Sequence, residues 1–105
     1  MKKEGAKNDQ GKPRFDLLPS RPLEYTAMVM QVGLEKYGHR NWEKGMSWGR
    51  LFGAMMRHAW AFWRGEWADK ETGLPHLAHC MASILMLFEL ALCYKKGDDR
   101  SKLKV

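Results

Sequence analysis

From Cys80 to Phe88 the chain reads Cys-Met-Ala-Ser-Ile-Leu-Met-Leu-Phe, with Ser83 its one polar member. Wound into a helix, this stretch is apolar on nearly every side, and a helix of that kind has to be surrounded. A chain of 105 residues has room for one domain and a thin core. Three helices in such a chain cannot fully surround one of their own members, so a homodimer or larger assembly is expected. Five Trp, eight Met and four Phe point the same way, because they supply large apolar surfaces that are shared with another subunit on this reading.

Punctuation residues divide the rest. Pro22 is tolerated in a first helical turn, and Leu23, Ala27, Met30, Leu34 and Tyr37 recur on one helix face before Gly38 stops the run. Ser47 can cap a second helix that continues to about Arg64 and closes at Gly65. Pro75 opens a third, which reaches about Lys96 and stops at Gly97. Sustained period-two alternation is absent, so no sheet is expected. The fold class is therefore all-α: an antiparallel bundle of three main helices (residues 15–97), completed by oligomerisation. A flexible basic arm (1–14) precedes it and a flexible basic tail (98–105) follows it.

The formal net charge of +6 first suggests a nucleic-acid partner. Residues 1–14 carry five Lys/Arg against two acids, and residues 95–105 again five against two. Residues 15–94 carry eight of each sign. The basic excess lies in the ends and the body is neutral, which argues against nucleic acid. Cys80 and Cys93 sit thirteen residues apart on one expected helix, roughly 20 Å at a rise of about 1.5 Å per residue, too far to bridge. No Cys-x-x-Cys occurs, which argues against structural zinc. The N-terminus lacks the apolar core of a signal peptide. The run Cys80–Leu92 is interrupted by Ser83 and Glu89 and is short for a bilayer. A cytoplasmic protein with no membrane partner is the expectation.

Four constellations have residue types suited to chemistry. Arg50, Arg57 and Arg64 recur every seven residues with Ala54 and Ala61 between them; guanidinium forks suit phosphate, although a solvated face has the same pattern. His58 lies beside Arg57, at the edge of the apolar face. His76 and His79 share one face at the start of the third helix, where free N–H groups favour an anion and two imidazoles at this spacing can hold a metal. Glu66, Asp69 and Glu71 precede that helix and either balance its dipole or bind Mg²⁺. The loop Lys36-Tyr37-Gly38-His39-Arg40-Asn41-Trp42 offers an aromatic and an amide to a base, or a turn pinned to the core by Trp42. A P-loop is excluded: between Gly5 and Gly11-Lys12 lie five residues instead of four, and Pro13 stands where Ser or Thr belongs. Neither His-Asp nor His-Glu-x-x-His occurs.

The blocks Gly11-Lys12-Pro13-Arg14-Phe15-Asp16-Leu17-Leu18-Pro19, Glu35 to Trp42, Arg57-His58, Arg64-Gly65-Glu66 with Asp69, and Gly73-Leu74-Pro75-His76-Leu77-Ala78-His79 together resemble a phage family, the dATP/dGTP diphosphohydrolase N-terminal domain. The resemblance covers roughly residues 10–92. It implies cleavage of a purine deoxynucleoside triphosphate to the monophosphate and pyrophosphate. It also implies a distant similarity to the all-α MazG-like pyrophosphohydrolases. Those hold Mg²⁺ with Glu-Glu-x-x-Glu on one helix and Glu-x-x-Asp on the next. Here the corresponding stretches read Arg57-His58-Ala-Trp-Ala61 and His76-Leu-Ala-His79, so the carboxylate cage is missing.

On this reading the helical domain handles a nucleotide. Lys12, Lys36, Arg57 and Arg64 neutralise phosphate, and Tyr37, Asn41 and Trp42 meet the rest of the nucleotide. Glu66 and Asp69 hold Mg²⁺ or Mn²⁺, and His58, His76 or His79, with Glu66, positions or deprotonates water. The alternative is a nucleotide-binding protein without catalysis, such as a phage sponge for a signalling nucleotide.

Overall fold

Glycines end the first two helices close to where the sequence places them, whereas the third stops at Cys93, short of the expected Lys96, and Gly97 closes a separate 3-10 turn. The computed structural model describes residues 5–102; residues 1–4 and 103–105, including Lys2, Lys3, Glu4 and Lys104 of the basic ends, lie outside the described residues. Three helices carry the chain: α1 (Ser20–Tyr37), α2 (Trp48–Trp63) and α3 (His76–Cys93). Single 3-10 turns occupy Phe15–Leu17, Asn41–Lys44 and Lys95–Gly97. Among the described residues there is no strand, only one bridge between Ala68 and Pro75. Gly38 (φ 96°) ends α1 with its N–H on the Leu34 carbonyl at 2.9 Å. A side chain there would be strained, which is why glycine suits the stop.

The start of α2 is capped from far along the chain. Ser47 occupies the cap position but its hydroxyl makes no capping bond. Asp99, fifty residues on, accepts the Gly49 N–H at 2.8 Å instead. The Arg100 guanidinium lies 5.0 Å above the Trp48 ring, and the Trp48 indole donates to the Tyr94 carbonyl at 3.1 Å. A helix start leaves N–H groups in need of an acceptor and favours negative charge. Asp99 and Arg100, within the span read as a flexible basic tail, are thus held against α2, the first by the free amide and the second by the indole.

α3 packs on both other helices. Trp48, Leu51 and Leu90 form one buried cluster, joined by Trp42, Met46, Met86 and Tyr94. Nearer the other end the Cys80 thiol donates to the Met55 carbonyl at 3.3 Å, and His58 meets His76. Contacts that fall on α3 as they rise on α2 make the pair antiparallel. On α1, Thr26 contacts Met81 and Lys36 reaches Glu71 just ahead of α3, so α1 also runs against α3. The connection 38–47 therefore makes no hairpin. It crosses from the Lys36 end to the Tyr94 end, and this leaves a groove between the helices.

α1 turns a different face inward from the one its periodicity selects. Thr26 and Val29 are buried, whereas Leu23, Ala27, Leu34 and Tyr37 are exposed. Val29 seats against Ala78 and Ala82, and only a narrow seam fits over such small residues. α3 is likewise covered on one side. Ala78, Ala82, Ser83 and Leu90 are buried, while Leu77, Ile84, Leu85, Phe88 and Leu92 are open. The Cα radius of gyration, 17.8 Å, exceeds the roughly 13 Å of a compact domain of this size. With 18 residues at a mean hydropathy of 1.7, α3 is long and apolar enough to cross a membrane by length and composition. It is a longer element than the Cys80–Leu92 run, and the core helix of a soluble protein passes the same test.

Candidate functional site

The loop between α2 and α3 is held by its own backbone. The Asp69 N–H donates to the Leu74 carbonyl at 2.9 Å, Gly73 N–H to Asp69 at 2.7 Å, and His76 N–H to Trp67 at 2.9 Å. Asp69 Oδ2 accepts the amides of Glu71 and Thr72 at 3.0 and 2.9 Å, a tight turn of the kind aspartate favours. The loop thus presents Glu66, Asp69 and Thr72 rigidly to the first turn of α3.

Three histidines meet there. His58 Nδ1 and His76 Nδ1 stand 2.8 Å apart, and His76 Nε2 lies 3.0 Å from a Glu66 carboxylate oxygen. His79 stacks on His58 with ring centroids 4.3 Å apart and planes 11° from parallel, and its Nε2 is 2.8 Å from the Thr72 hydroxyl. His76 is buried; His58 and His79 are half-buried. Burial, followed by the nearby His79 and His76, pushes His58 below the ordinary imidazole range. Burial also lowers His79, against the pull of Asp69. Burial alone raises Asp69, but the Thr72 amide and His79, with the rest of its turn, bring it below its ordinary value. At neutral pH His58 and His79 are neutral bases beside an ionised carboxylate.

The cluster forms one end of a cleft of about 1230 Å³. Lys36, Tyr37, Asn41 and Trp42 line it from one side, and Arg57, His58, Asp69 and His79 from the other. His76 and Glu66 stand behind His58. Arg64 caps α2 outside the cleft, and Lys12 lies in a separate hollow formed by residues 9–16. Trp42 also packs on the Trp48 cluster, so it is both wall and core. Thr72 escaped the sequence reading, because nothing in Thr-Gly-Leu-Pro marks its hydroxyl as a partner of His79. The approach of His58 to His76 also has no sequence signal, since eighteen residues separate them.

Charge is segregated in this cleft. Lys36, Arg40, Lys44, Arg50 and Arg57 line it, against Asp69 and Glu71 alone. A body neutral by count therefore concentrates cations on one concave surface. Lys36 pairs with Glu71 at 2.8 Å and Arg40 with Glu43. Arg50 and Arg57 form no ion pair among the described residues.

Residues 2–100 match the family model described as dATP/dGTP diphosphohydrolase, N-terminal. The chain belongs to this family. The curated dATP/dGTP diphosphohydrolase of Salmonella phage PMBT28 is 38% identical over 96 residues, covering 91% of this chain and 33% of that protein. The chain thus spans about a third of the relative's length. No solved structure matches.

Proposed function

We propose that the chain binds a purine nucleoside triphosphate in the cleft and hydrolyses it between the α- and β-phosphates. The observation that carries this reading is the segregation of charge: a concave basic surface, in a body neutral overall, that ends at the neutral His58 and His79. Arg57 and Arg50 meet the phosphates, with Lys36 released from Glu71 to join them. Asn41 and Trp42 face the base, with Tyr37 beside them. Asp69 would help hold a divalent ion, which when bound would offset phosphate charge. His79 takes a proton from water, which attacks the α-phosphorus. The bond from that phosphorus to the bridging oxygen breaks, and pyrophosphate leaves with the electron pair. The activity for which the phage relative is named supports the assignment.

Sequestration without turnover is the second reading. It is favoured by one feature: among the described residues Asp69 alone brings a carboxylate to the histidine cluster from the cleft, whereas the MazG-like enzymes gather several. For assembly we propose a second copy over the open face of α3, and for location the host cytoplasm. The test is a panel of dNTPs, NTPs and cyclic nucleotides incubated with Mg²⁺ or Mn²⁺, with products separated by chromatography. Pyrophosphate and monophosphate are expected from dATP or dGTP, and from His79→Ala tight binding without turnover. If the unaltered protein binds but releases no product with any metal, the chain is a sponge. If it neither binds nor cleaves any nucleotide, the cleft is misassigned.

A further inference from the structure

The geometry points to a single-ion site formed by His58, His76 and Asp69, selective for a later first-row divalent ion such as Co²⁺ or Zn²⁺ over Mg²⁺. This deepens the reading above by naming the ion, and it rests on that reading only for the ion's role in catalysis. One ligand atom from each of the three residues lies within 4.8 Å of the other two. Bonds of about 2.0–2.1 Å to imidazole and carboxylate, at tetrahedral angles, place donor atoms roughly 3.3 Å apart. The His58–His76 separation of 2.8 Å lies just inside that value and the limit of 4.8 Å outside it, so small side-chain rotations bring the donors onto one centre.

The hydrogen bond behind the cluster is a second, independent observation. Glu66 Oε1 lies 3.0 Å from His76 Nε2 and occupies that nitrogen from behind the cluster. The buried His76 ring then turns its other nitrogen, Nδ1, toward His58 Nδ1 at 2.8 Å. A carboxylate that holds the far nitrogen of a histidine is the arrangement that orients metal-bound imidazoles. Glu66 is thus a positioning residue outside the ligand set, and the pairing of Glu66 with Asp69 around Mg²⁺ gives way to a centre with two nitrogens. Two imidazoles and one carboxylate suit the later first-row ions; Mg²⁺ prefers oxygen donors. His58 and Asp69 border the cleft, so the remaining coordination positions face the space assigned to phosphate or water. His79 is held by Thr72 and by stacking on His58, which keeps it apart as the base.

The test uses the full chain, stripped with a chelator and titrated with Co²⁺, Mn²⁺, Zn²⁺ and Mg²⁺ without nucleotide, followed by calorimetry and the visible absorption of Co²⁺. One Co²⁺ per chain is expected, with a ligand-field band characteristic of mixed nitrogen and oxygen donors, while Mg²⁺ at the same concentration competes poorly. His58→Ala and His76→Ala should abolish the band, and Glu66→Gln should weaken binding by about 10–100-fold. Asp69→Asn, close to isosteric, keeps the comparison valid if a histidine variant fails to fold, and should also lose affinity. Absence of Co²⁺ binding by the unaltered chain overturns the proposal, as does an unchanged band in folded His76→Ala or Asp69→Asn, or equal affinity for Mg²⁺. Pyrophosphate release is measured separately. Metal binding without turnover removes the hydrolase reading and leaves this site intact; turnover with no Co²⁺ binding does the reverse.

Discussion

Truncating Leu90 should unfasten the α2–α3 seam and with it the Trp42 wall of the cleft. Leu90 is 2% exposed, the largest fully buried side chain, and it packs with Trp48 and Leu51. Leu90→Ala removes three buried carbons, about 2.4 kcal/mol of transfer free energy at about 0.8 per methylene. A cavity adds to that, reduced here because Met86 and Leu87 border the gap and can partly fill it. The total is about 3 kcal/mol, within the range of buried Leu→Ala changes. For a domain of this size that lowers the thermal midpoint by about 12–24 °C. Guanidinium unfolding followed by tryptophan fluorescence measures it, at fixed protein concentration because assembly would shift the midpoint. Leu90→Met conserves volume and should cost under about 1.5 kcal/mol. A loss below about 1 kcal/mol for Leu90→Ala, or equal losses for both variants, would refute the packing argument.

Arg57→Ala should weaken nucleotide binding about tenfold or more, since a charged contact to phosphate contributes about 1.5–3 kcal/mol; unchanged calorimetric affinity removes Arg57 from the site. Leu85→Glu should dissociate or unfold the assembly, and light scattering that finds the unaltered protein monomeric ends the oligomer proposal. Protons bind His58 and His79 more readily in the unfolded chain, because burial lowers both in the folded one. Chelator-treated protein should therefore be fully stabilised by these groups above 6.5, the ordinary histidine value, and lose that stability as pH falls toward their lower folded values. The thermal midpoint should drop as pH falls below 6.5, less steeply in His79→Gln; a flat profile, or equal slopes, contradicts the burial argument.

Helix positions were legible in the sequence because their signals are local. Gly38 and Gly65 stop α1 and α2, Pro75 opens α3, and a run such as Cys80–Phe88 has one periodicity wherever it is placed. The motif blocks from Lys12 to His79 were enough to recognise the family, and the types of residue in the site were visible too. Which of them meet was not. His76 and Glu66 join only because the Asp69 turn folds the loop back, and His58 arrives from the antiparallel neighbour. Lys12 and Arg64 have the right charge but the chain carries them elsewhere. The inward face of α1 was decided by the small residues Ala78 and Ala82, a property of the partner helix. The cap on α2 was decided by Asp99, fifty residues away. Even the charge that a nucleotide would meet is a tertiary property. Counted along the chain, residues 15–94 are neutral; folded, five cations and two carboxylates line one cleft, because fields act across space while sequence orders charges only along the backbone.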